Sequence, residues 1–185
     1  YVSRAGLKLA GATKAFNLNF RDKMVLDVGS STGGFTDFAL QHGAKKVYAV
    51  DVGTDQLHPS LRGNKRIELY EKTDIRDFMP NQPVDVVVGD VSFISLREIL
   101  PHVAKNIMQP ETIWVAMVKP QFEAQRQQLT RGGVVKNDGV RRAILREFEQ
   151  WARANFIIIN KADSEVKGAH GNLERFYILR KAGSC

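Results

Sequence analysis

The segment of the sequence with the most specific chemistry is a glycine-containing turn, D-V-G-S-S-T-G-G-F-T, at residues 27–36. It lies where an apolar, strand-like stretch turns into a helical one, which is where doubly wound sheets bind ligands. Glycine at positions 29, 33 and 34 lets the backbone come close to such a ligand. The dinucleotide pattern G-x-G-x-x-G is absent, and the carboxylate of Asp27 would repel a pyrophosphate. A cation such as a sulfonium with an amino group fits better; the alternative is a plain turn with no ligand.

Acidic side chains also follow the next three predicted strands. Asp51 comes after the second strand, where its two oxygens could accept both ribose hydroxyls of an adenosine. Asp74 comes after the third strand and could hold the adenine amino group, and Asp90 follows the fourth. The strand ends of a parallel sheet meet at one edge, so these acids predict a nucleoside-like ligand there. An ordinary loop aspartate is the alternative for Asp51.

A lysine closes the fifth apolar strand. Lys119 stands directly before Pro120 and should lie at the same edge of the sheet as the acids. Lysines are mostly surface residues, but this position favours a functional one. A neutral amine could accept a proton, whereas a charged one could orient a hydroxyl and stabilise negative charge on oxygen. The sequence leaves both roles open.

The hydrophobic pattern predicts an α/β fold that brings these residues together. Strands are expected at 23–28, 46–50, 67–70, 84–88, 113–118, 156–160 and 176–179, and helices at 3–16, 34–42, 96–108 and 140–154. The alternation predicts a seven-stranded, mostly parallel sheet with helices on both faces. No helix separates the last two strands, so the last strand should be antiparallel. The polar stretch 121–139 is long enough for a mobile lid or a substrate loop.

Composition narrows the class of protein. The 185 residues allow one domain, and no apolar run approaches the roughly 20 residues of a membrane span. The only cysteine is Cys185, so no intramolecular disulfide is expected and a cytoplasmic protein fits. The four histidines are scattered, so no metal site is expected. A net charge of +7 favours a polyanionic partner such as RNA, with Arg131, Arg141 and Arg142 as candidate contacts.

Motifs along almost the whole chain resemble the class I S-adenosylmethionine methyltransferases, which have a Rossmann-like fold. The closer similarity is to FtsJ-like RNA 2′-O-methyltransferases of the TlyA type, a group also called haemolysin A. The motifs that carry it lie at 3–9 (S-R-A-G-L-K-L), 27–36, 51–53, 89–95 (G-D-V-S-F-I-S), 118–123 (V-K-P-Q-F-E), 131–135 and 167–174.

This resemblance implies S-adenosylmethionine as cofactor, S-adenosylhomocysteine as product, and no metal. It implies transfer to a ribose 2′-hydroxyl of RNA, with ribosomal RNA or ribosomal subunits as partner and no membrane. The cofactor-binding positions would be Asp27, Gly29, Ser30, Ser31, Gly33, Gly34, Phe35, Thr36, Asp51, Val52, Asp74, Ile75 and Asp90. The catalytic tetrad would be Lys8, Asp90, Lys119 and Glu174.

Within that tetrad the role of Lys119 stays open. A nearby Lys8 would favour the neutral amine, while Asp90 and Glu174 would favour the charged one. The family normally carries an N-terminal S4-type RNA-binding domain, and this chain begins at the first motif. We therefore expect residues 1–185 to form a single methyltransferase domain without it. Ala5 stands where a second glycine is usual.

Three alternatives remain at this point. The fold could serve a methyltransferase with another substrate, or a non-catalytic RNA-binding module. The haemolysin label suggests a pore-forming protein, which the lack of a membrane-spanning or strongly amphipathic segment makes the weakest of the three. Residues 91–94 are expected in the pocket wall, although Phe93 could equally be a core aromatic.

Overall fold

A seven-stranded sheet forms the centre of the molecule. The computed structural model describes residues 1–183, so Cys185, on which the expectation about disulfides rests, lies outside the described residues. The strands are β1 (Met24–Val28), β2 (Lys46–Val50), β3 (Ile67–Tyr70), β4 (Val84–Gly89), β5 (Met108–Val118), β6 (Phe156–Asp163) and β7 (Arg175–Lys181). Their order is β3-β2-β1-β4-β5-β7-β6. β7 pairs antiparallel with both of its neighbours, β5 and β6, which confirms the expected antiparallel last strand.

The helices lie on both faces of this sheet, as the alternation predicts. They are α1 (Arg4–Phe16), α2 (Gly34–Gln41), α3 (Leu100–Asn106), the single turn α4 (Pro120–Glu123) and α5 (Asp138–Ala152). Leu9 of α1 and Phe38 of α2 belong to the buried cluster on one face. Leu100 of α3 and Phe148 of α5 belong to the cluster on the other. The apolar residues of the strands are therefore covered from both sides.

The strand order reverses between β1 and β4, and this reversal positions the site. From β1 the chain moves outward through β2 and β3, then returns to place β4 on the other side of β1. A crevice opens at the carboxyl ends of strands where the order reverses in this way. Val28 and Gly89 are partners at the ends of β1 and β4. The turn at Gly29 and the acid Asp90 therefore leave the sheet side by side.

The amino end of α1 lies beside the turn after β1, at this crevice. The hydroxyl of Ser3 accepts a hydrogen bond from the amide of Ala5 at 3.3 Å and so caps the amino end of the helix. The helix ends at Asn17, whose φ of 52° lies in the left-handed region that terminates helices. Lys8 lies on its buried face.

The helix predicted at 96–108 is wrong in part. Leu96–Glu98 form a 3-10 turn, α3 begins only at Leu100, and β5 already begins at Met108. Pro101 lacks an N–H and suits the first turn of a helix, so α3 starts there. The hydroxyl of Thr112 donates to the carbonyl of Val84 at 2.6 Å, beside an irregularity in the β4–β5 register. Such local pairing lies outside what hydrophobic periodicity detects.

The polar stretch 121–139 is folded against the domain. It contains the end of α4, a 3-10 turn at Arg126–Gln128 and an antiparallel bridge between Leu129 and Val135. Among the helices of residues 1–183, none combines the length and the apolar character that crossing a membrane requires.

Candidate active site

The turn after β1 is tightly packed and depends on glycine. Gly29 and Gly33 have φ values of 74° and 97°, in the region that favours glycine. A Cβ on Gly29 would lie 3.2 Å from the carbonyl oxygen of Asp90, and one on Gly34 would lie 2.8 Å from the Cβ of Ala5. Side chains are therefore excluded where the turn meets the start of α1 and the β4 loop, which is the segment 90–95 after β4.

Asp27 is a buried carboxyl group with one free oxygen. It is 1 % exposed, and the hydroxyl of Thr36 donates to its Oδ2 at 2.7 Å. Its Oδ1 has no hydrogen-bond partner among the described residues. Burial, together with the charges of Asp90 and Asp51, raises the pKa of Asp27 to about 7. The residue lines a cavity of about 60 Å³ shared with Ser30 and other residues of the turn.

A larger cavity of about 570 Å³ adjoins this turn at the carboxyl ends of β1, β2 and β4. Asp51 lines it, and its two oxygens accept the amides of Ser31 and Gly53, each at 2.7 Å. Asp74 also lines it and forms two hydrogen bonds with the guanidinium of Arg76, at 3.0 and 2.7 Å. These bonds to Arg76 lower the pKa of Asp74 to about 2. Both carboxylates are thus fixed in place at the cavity wall.

The predicted cofactor residues divide into those that line a cavity and those that support one. The lining residues are Asp27, Gly29, Ser30, Ser31, Gly34, Phe35, Asp51, Val52, Asp74, Ile75 and Asp90. Gly33 and Thr36 line neither of these two cavities: a Cβ on Gly33 would lie 2.6 Å from Leu61, and Thr36 is fully buried against Asp27. Three polar residues of the larger cavity were not predicted, because they lie in loops and turns without a motif: Gln56, Thr73 and Arg76.

The four predicted catalytic residues form two ion pairs. Lys8 Nζ lies 3.0 Å from Glu174 Oε2, and these side chains are 10 % and 2 % exposed. Lys119 Nζ lies 2.5 Å from Asp90 Oδ1 and donates to the hydroxyl of Ser92 at 2.7 Å. Burial raises the pKa of Glu174, while the ammonium of Lys8 opposes that rise. Lys8 and Glu174 are 166 residues apart in sequence, so only the folded chain brings them together.

A third cavity has a volume of about 370 Å³ and lies on the other side of the Lys119–Asp90 pair. We call it the tetrad cavity. Lys8, Lys119 and Glu174 line it, whereas Asp90 lines the other two cavities. The Lys119–Asp90 pair therefore stands at the junction of two cavities. One is the nucleoside-sized cavity of about 570 Å³, and the other is the tetrad cavity. A Cβ on Gly168 would overlap the carboxylate of Glu174, so that carboxylate also depends on a glycine.

Two aromatic rings stand at the same junction. Phe93 is 91 % exposed, and its φ of 67° is left-handed. Its ring centroid lies 5.2 Å from that of Phe122, and both residues line the third cavity. Phe93 therefore belongs to the cavity wall and not to the core. Within residues 1–183, no three His, Cys, Asp or Glu side chains are arranged to hold a metal.

The reversed strand order, the glycine turn after β1 and the acids at the strand ends define a class I methyltransferase. The chain matches the model of the FtsJ-like methyltransferases over residues 1–182 and belongs to that family, which confirms the resemblance. It is similar to Hemolysin A of Brachyspira hyodysenteriae, with 45% identity over 94% of this chain and 74% of that protein. It is also similar to the 16S/23S rRNA (cytidine-2'-O)-methyltransferase TlyA of Mycobacterium tuberculosis, with 39% identity over 97% and 68% of the two chains.

A solved structure agrees with these similarities. A hemolysin candidate from Streptococcus thermophilus superimposes with a TM-score of 0.93 at 42% sequence identity. The match covers 100% of this chain and 68% of that one. The sheet order, the antiparallel β7 and the helices on both faces are thus those of a known relative, and the predicted fold class is confirmed.

Proposed function

We propose that the chain transfers a methyl group from S-adenosylmethionine to a ribose 2′-hydroxyl of RNA, with ribosomal RNA as the substrate. The observation that carries the proposal is the Lys119–Asp90 ion pair, 2.5 Å long. It lies between the nucleoside-sized cavity and the tetrad cavity, which Lys8 and Glu174 line. Such an arrangement can hold two reactants on either side of one polar junction, which is most of what a displacement reaction needs from a protein.

The residues of the first two cavities fit the proposed cofactor. Within residues 1–183, Asp27 has a buried oxygen without a hydrogen-bond partner, which suits a cationic amino group. Each oxygen of Asp51 accepts one amide from the part of the chain that the structure describes, which leaves lone pairs for ribose hydroxyls. Asp74 and Ile75 would hold the base at the far wall. When bound, S-adenosylmethionine supplies an electrophilic methyl group on a positively charged sulfur.

In this proposal the tetrad acts on the hydroxyl of the substrate. Lys119 is held by Asp90 and Ser92, so its amine has a fixed position at the junction. It either takes the hydroxyl proton or, as an ammonium, orients the hydroxyl and stabilises the charge developing on oxygen. Lys8 and Glu174 form a buried pair in the wall of the tetrad cavity and keep its polar groups in place.

The substrate side of the proposal rests on charge, aromatic rings and relatives. The net charge of +7 favours phosphate contacts. The exposed ring of Phe93, beside Phe122, could stack with an unpaired base at the cavity. The TlyA relative is named for cytidine-2'-O methylation of 16S and 23S rRNA. An enzyme acting on ribosomal RNA works where ribosomes are assembled, so we propose a cytoplasmic location.

The test is methyl transfer with product identification. The chain is incubated with S-adenosylmethionine carrying an isotopic methyl group and with bacterial ribosomal RNA or subunits. The RNA is then digested to nucleosides and separated. We expect the label in 2′-O-methylnucleosides. Label confined to base-methylated nucleosides, or cofactor binding by calorimetry without any transfer to RNA, would contradict the proposal and favour another substrate on the same fold.

A further inference from the structure

Glu123 is a buried carboxylate that joins two loops of the site. It ends α4, four residues after Lys119, and its side chain is 2 % exposed. Its Oε2 accepts the hydroxyl of Ser95 at 2.6 Å, and its Oε1 accepts the amide of Leu96 at 2.8 Å. The contact links the segment after β5 to the loop after β4, which carries Asp90. The reaction proposed above assigns no role to it.

Burial of the Glu123 carboxylate carries a cost in free energy. Removing a carboxylate from water is unfavourable unless several donors compensate, and burial raises the pKa of Glu123. Arg97 Nε lies 3.7 Å from Oε2, and the same guanidinium lies 5.7 Å from the ring centroid of Trp151 on α5. Glu123 thus connects the β4 loop, α4 and, through Arg97, helix α5.

The loop between Asp90 and Leu96 is held at two points by one short segment. Lys119 donates to Ser92 at one end, and Glu123 accepts from Ser95 at the other. Between these two points lies Phe93, with a left-handed φ of 67° that a non-glycine residue adopts only when its surroundings enforce it. Ser92 and Phe93 line both the nucleoside-sized cavity and the tetrad cavity. The shape of this wall therefore depends on both anchors.

We propose that Glu123 is a positioning residue for methyl transfer. It clamps the β4 loop so that Ser92 meets the ammonium of Lys119 and the wall between the two cavities keeps its shape. The inference rests on the proposed function for its kinetic consequence, while the clamp itself is a property of the fold. Glu123 acts through Ser92 and Lys119 and does not touch the reacting atoms.

The test compares Glu123→Gln, Glu123→Ala and Ser95→Ala with a matched control, Glu149→Gln. Glu149 is also buried, accepts from Lys161 and Tyr177 at 2.9 and 2.8 Å, and lines none of the three cavities. The measurements are kcat, KM for RNA, and hydrogen exchange of the Leu96 amide by NMR. For Glu123→Ala we expect kcat to fall about 10- to 100-fold, the cost of a misplaced reacting group. KM should change less, and Leu96 should exchange faster.

Glu123→Gln should recover part of the activity, because an amide oxygen still accepts the Leu96 N–H, although more weakly than a carboxylate does. Glu149→Gln should lower the melting temperature without lowering kcat. If Glu123→Ala does not fold, Glu123→Gln and Ser95→Ala carry the test, each with a smaller kcat loss and faster Leu96 exchange. Wild-type kcat in folded Glu123 variants, or unchanged exchange at Leu96, overturns the inference. If the wild type transfers no methyl to RNA, the proposed function fails, whereas Leu96 exchange still reports on the clamp.

Discussion

At the scale of single residues, Asp27 shows how burial gives one side chain an unusual property. Its carboxyl group lies beneath the glycine turn, 1 % exposed and close to two further acids. The result is a pKa of about 7, so the group is partly protonated near neutral pH when no cation is beside it. A cationic group placed against its free oxygen would favour the ionised form and lower that pKa.

The pH dependence of stability follows with a definite sign. The pKa of Asp27 is about 7 in the folded chain and 3.8 as a free group, so the folded chain retains a proton that the unfolded chain loses. The free energy of unfolding should therefore fall between about pH 4 and pH 7, by about 1.4 kcal/mol for each pH unit crossed. Asp27→Asn lacks this titration and should gain stability relative to the wild type across that range.

Urea unfolding of both proteins at pH 5, 6, 7 and 8 measures the difference directly. Other groups titrate in both proteins and cancel in the comparison. A stability difference that stays constant from pH 5 to pH 8 would show that Asp27 has an ordinary pKa.

At the scale of the elements, the sequence predicts what local chemistry determines. The helix predicted at 3–16 and the strand predicted at 46–50 follow from short-range patterns, and the structure has α1 (Arg4–Phe16) and β2 (Lys46–Val50) there. Strand ends also predict which acids face one crevice. The pairing of Lys8 with Glu174 is different, because no periodicity connects residues 166 positions apart, and only the family motifs indicate it.

The elements that the sequence does not predict depend on contacts between distant segments. The 3-10 turn Leu96–Glu98 begins at an amide, that of Leu96, which donates to the carboxylate of Glu123, 27 residues away. From the sequence, the polar stretch 121–139 is long enough for a mobile lid or a substrate loop. In the structure the side chain of Asn172 accepts from the amide of Val135 at 3.1 Å and donates to the carbonyl of Gly133 at 3.3 Å.

Removal of the Asn172 side chain should therefore weaken RNA binding at the tetrad cavity and leave cofactor binding unchanged. Gly132 and Gly133 line the tetrad cavity, and neither lines the nucleoside-sized one. We expect Asn172→Ala to raise KM for RNA several-fold and to speed hydrogen exchange at Val135, with cofactor affinity unchanged. Asn160→Ala is the control, since Asn160 is exposed on β6. Equal protection of Val135 in both variants would mean that Asn172 does not hold this loop.

At the scale of the whole molecule, the excess positive charge has to be assigned to particular side chains. Arg131, Arg141 and Arg142 are the candidate RNA contacts that the sequence suggests. Arg131 and Arg142 are exposed, but Arg141 is buried at 7 % exposure, where it binds Asp163 at 2.6 Å and the carbonyl of Leu173 at 2.9 Å. The expectation for Arg141 is therefore wrong, because its guanidinium holds the backbone next to Glu174 instead of facing solvent.

Charge reversal separates these two roles. Arg131→Glu with Arg142→Glu should weaken RNA binding across all sequences and flatten its salt dependence, by about 0.7 in log–log slope for each phosphate that is no longer neutralised. Arg141→Glu should instead destabilise the fold by about 1–3 kcal/mol, because the Leu173 carbonyl loses its buried donor and a second carboxylate is set beside Asp163. Filter binding at several salt concentrations and thermal melting distinguish them. Wild-type stability of Arg141→Glu, or RNA affinity of the double variant equal to wild type, would contradict this assignment.

The central claim is that the Lys119–Asp90 junction performs the transfer, and turnover of Lys119 variants tests it most directly. Methyl transfer to ribosomal RNA and cofactor affinity by calorimetry are measured for the wild type, Lys119→Ala and Lys119→Arg. We expect Lys119→Ala to lose about 10²–10⁴-fold in kcat while cofactor affinity stays nearly unchanged. Lys119→Arg keeps the charge but is a very poor base, so recovered activity would assign Lys119 an orienting role, and lost activity would favour a basic one. Near wild-type turnover in Lys119→Ala would contradict the account and make Lys119 a structural residue at the end of β5.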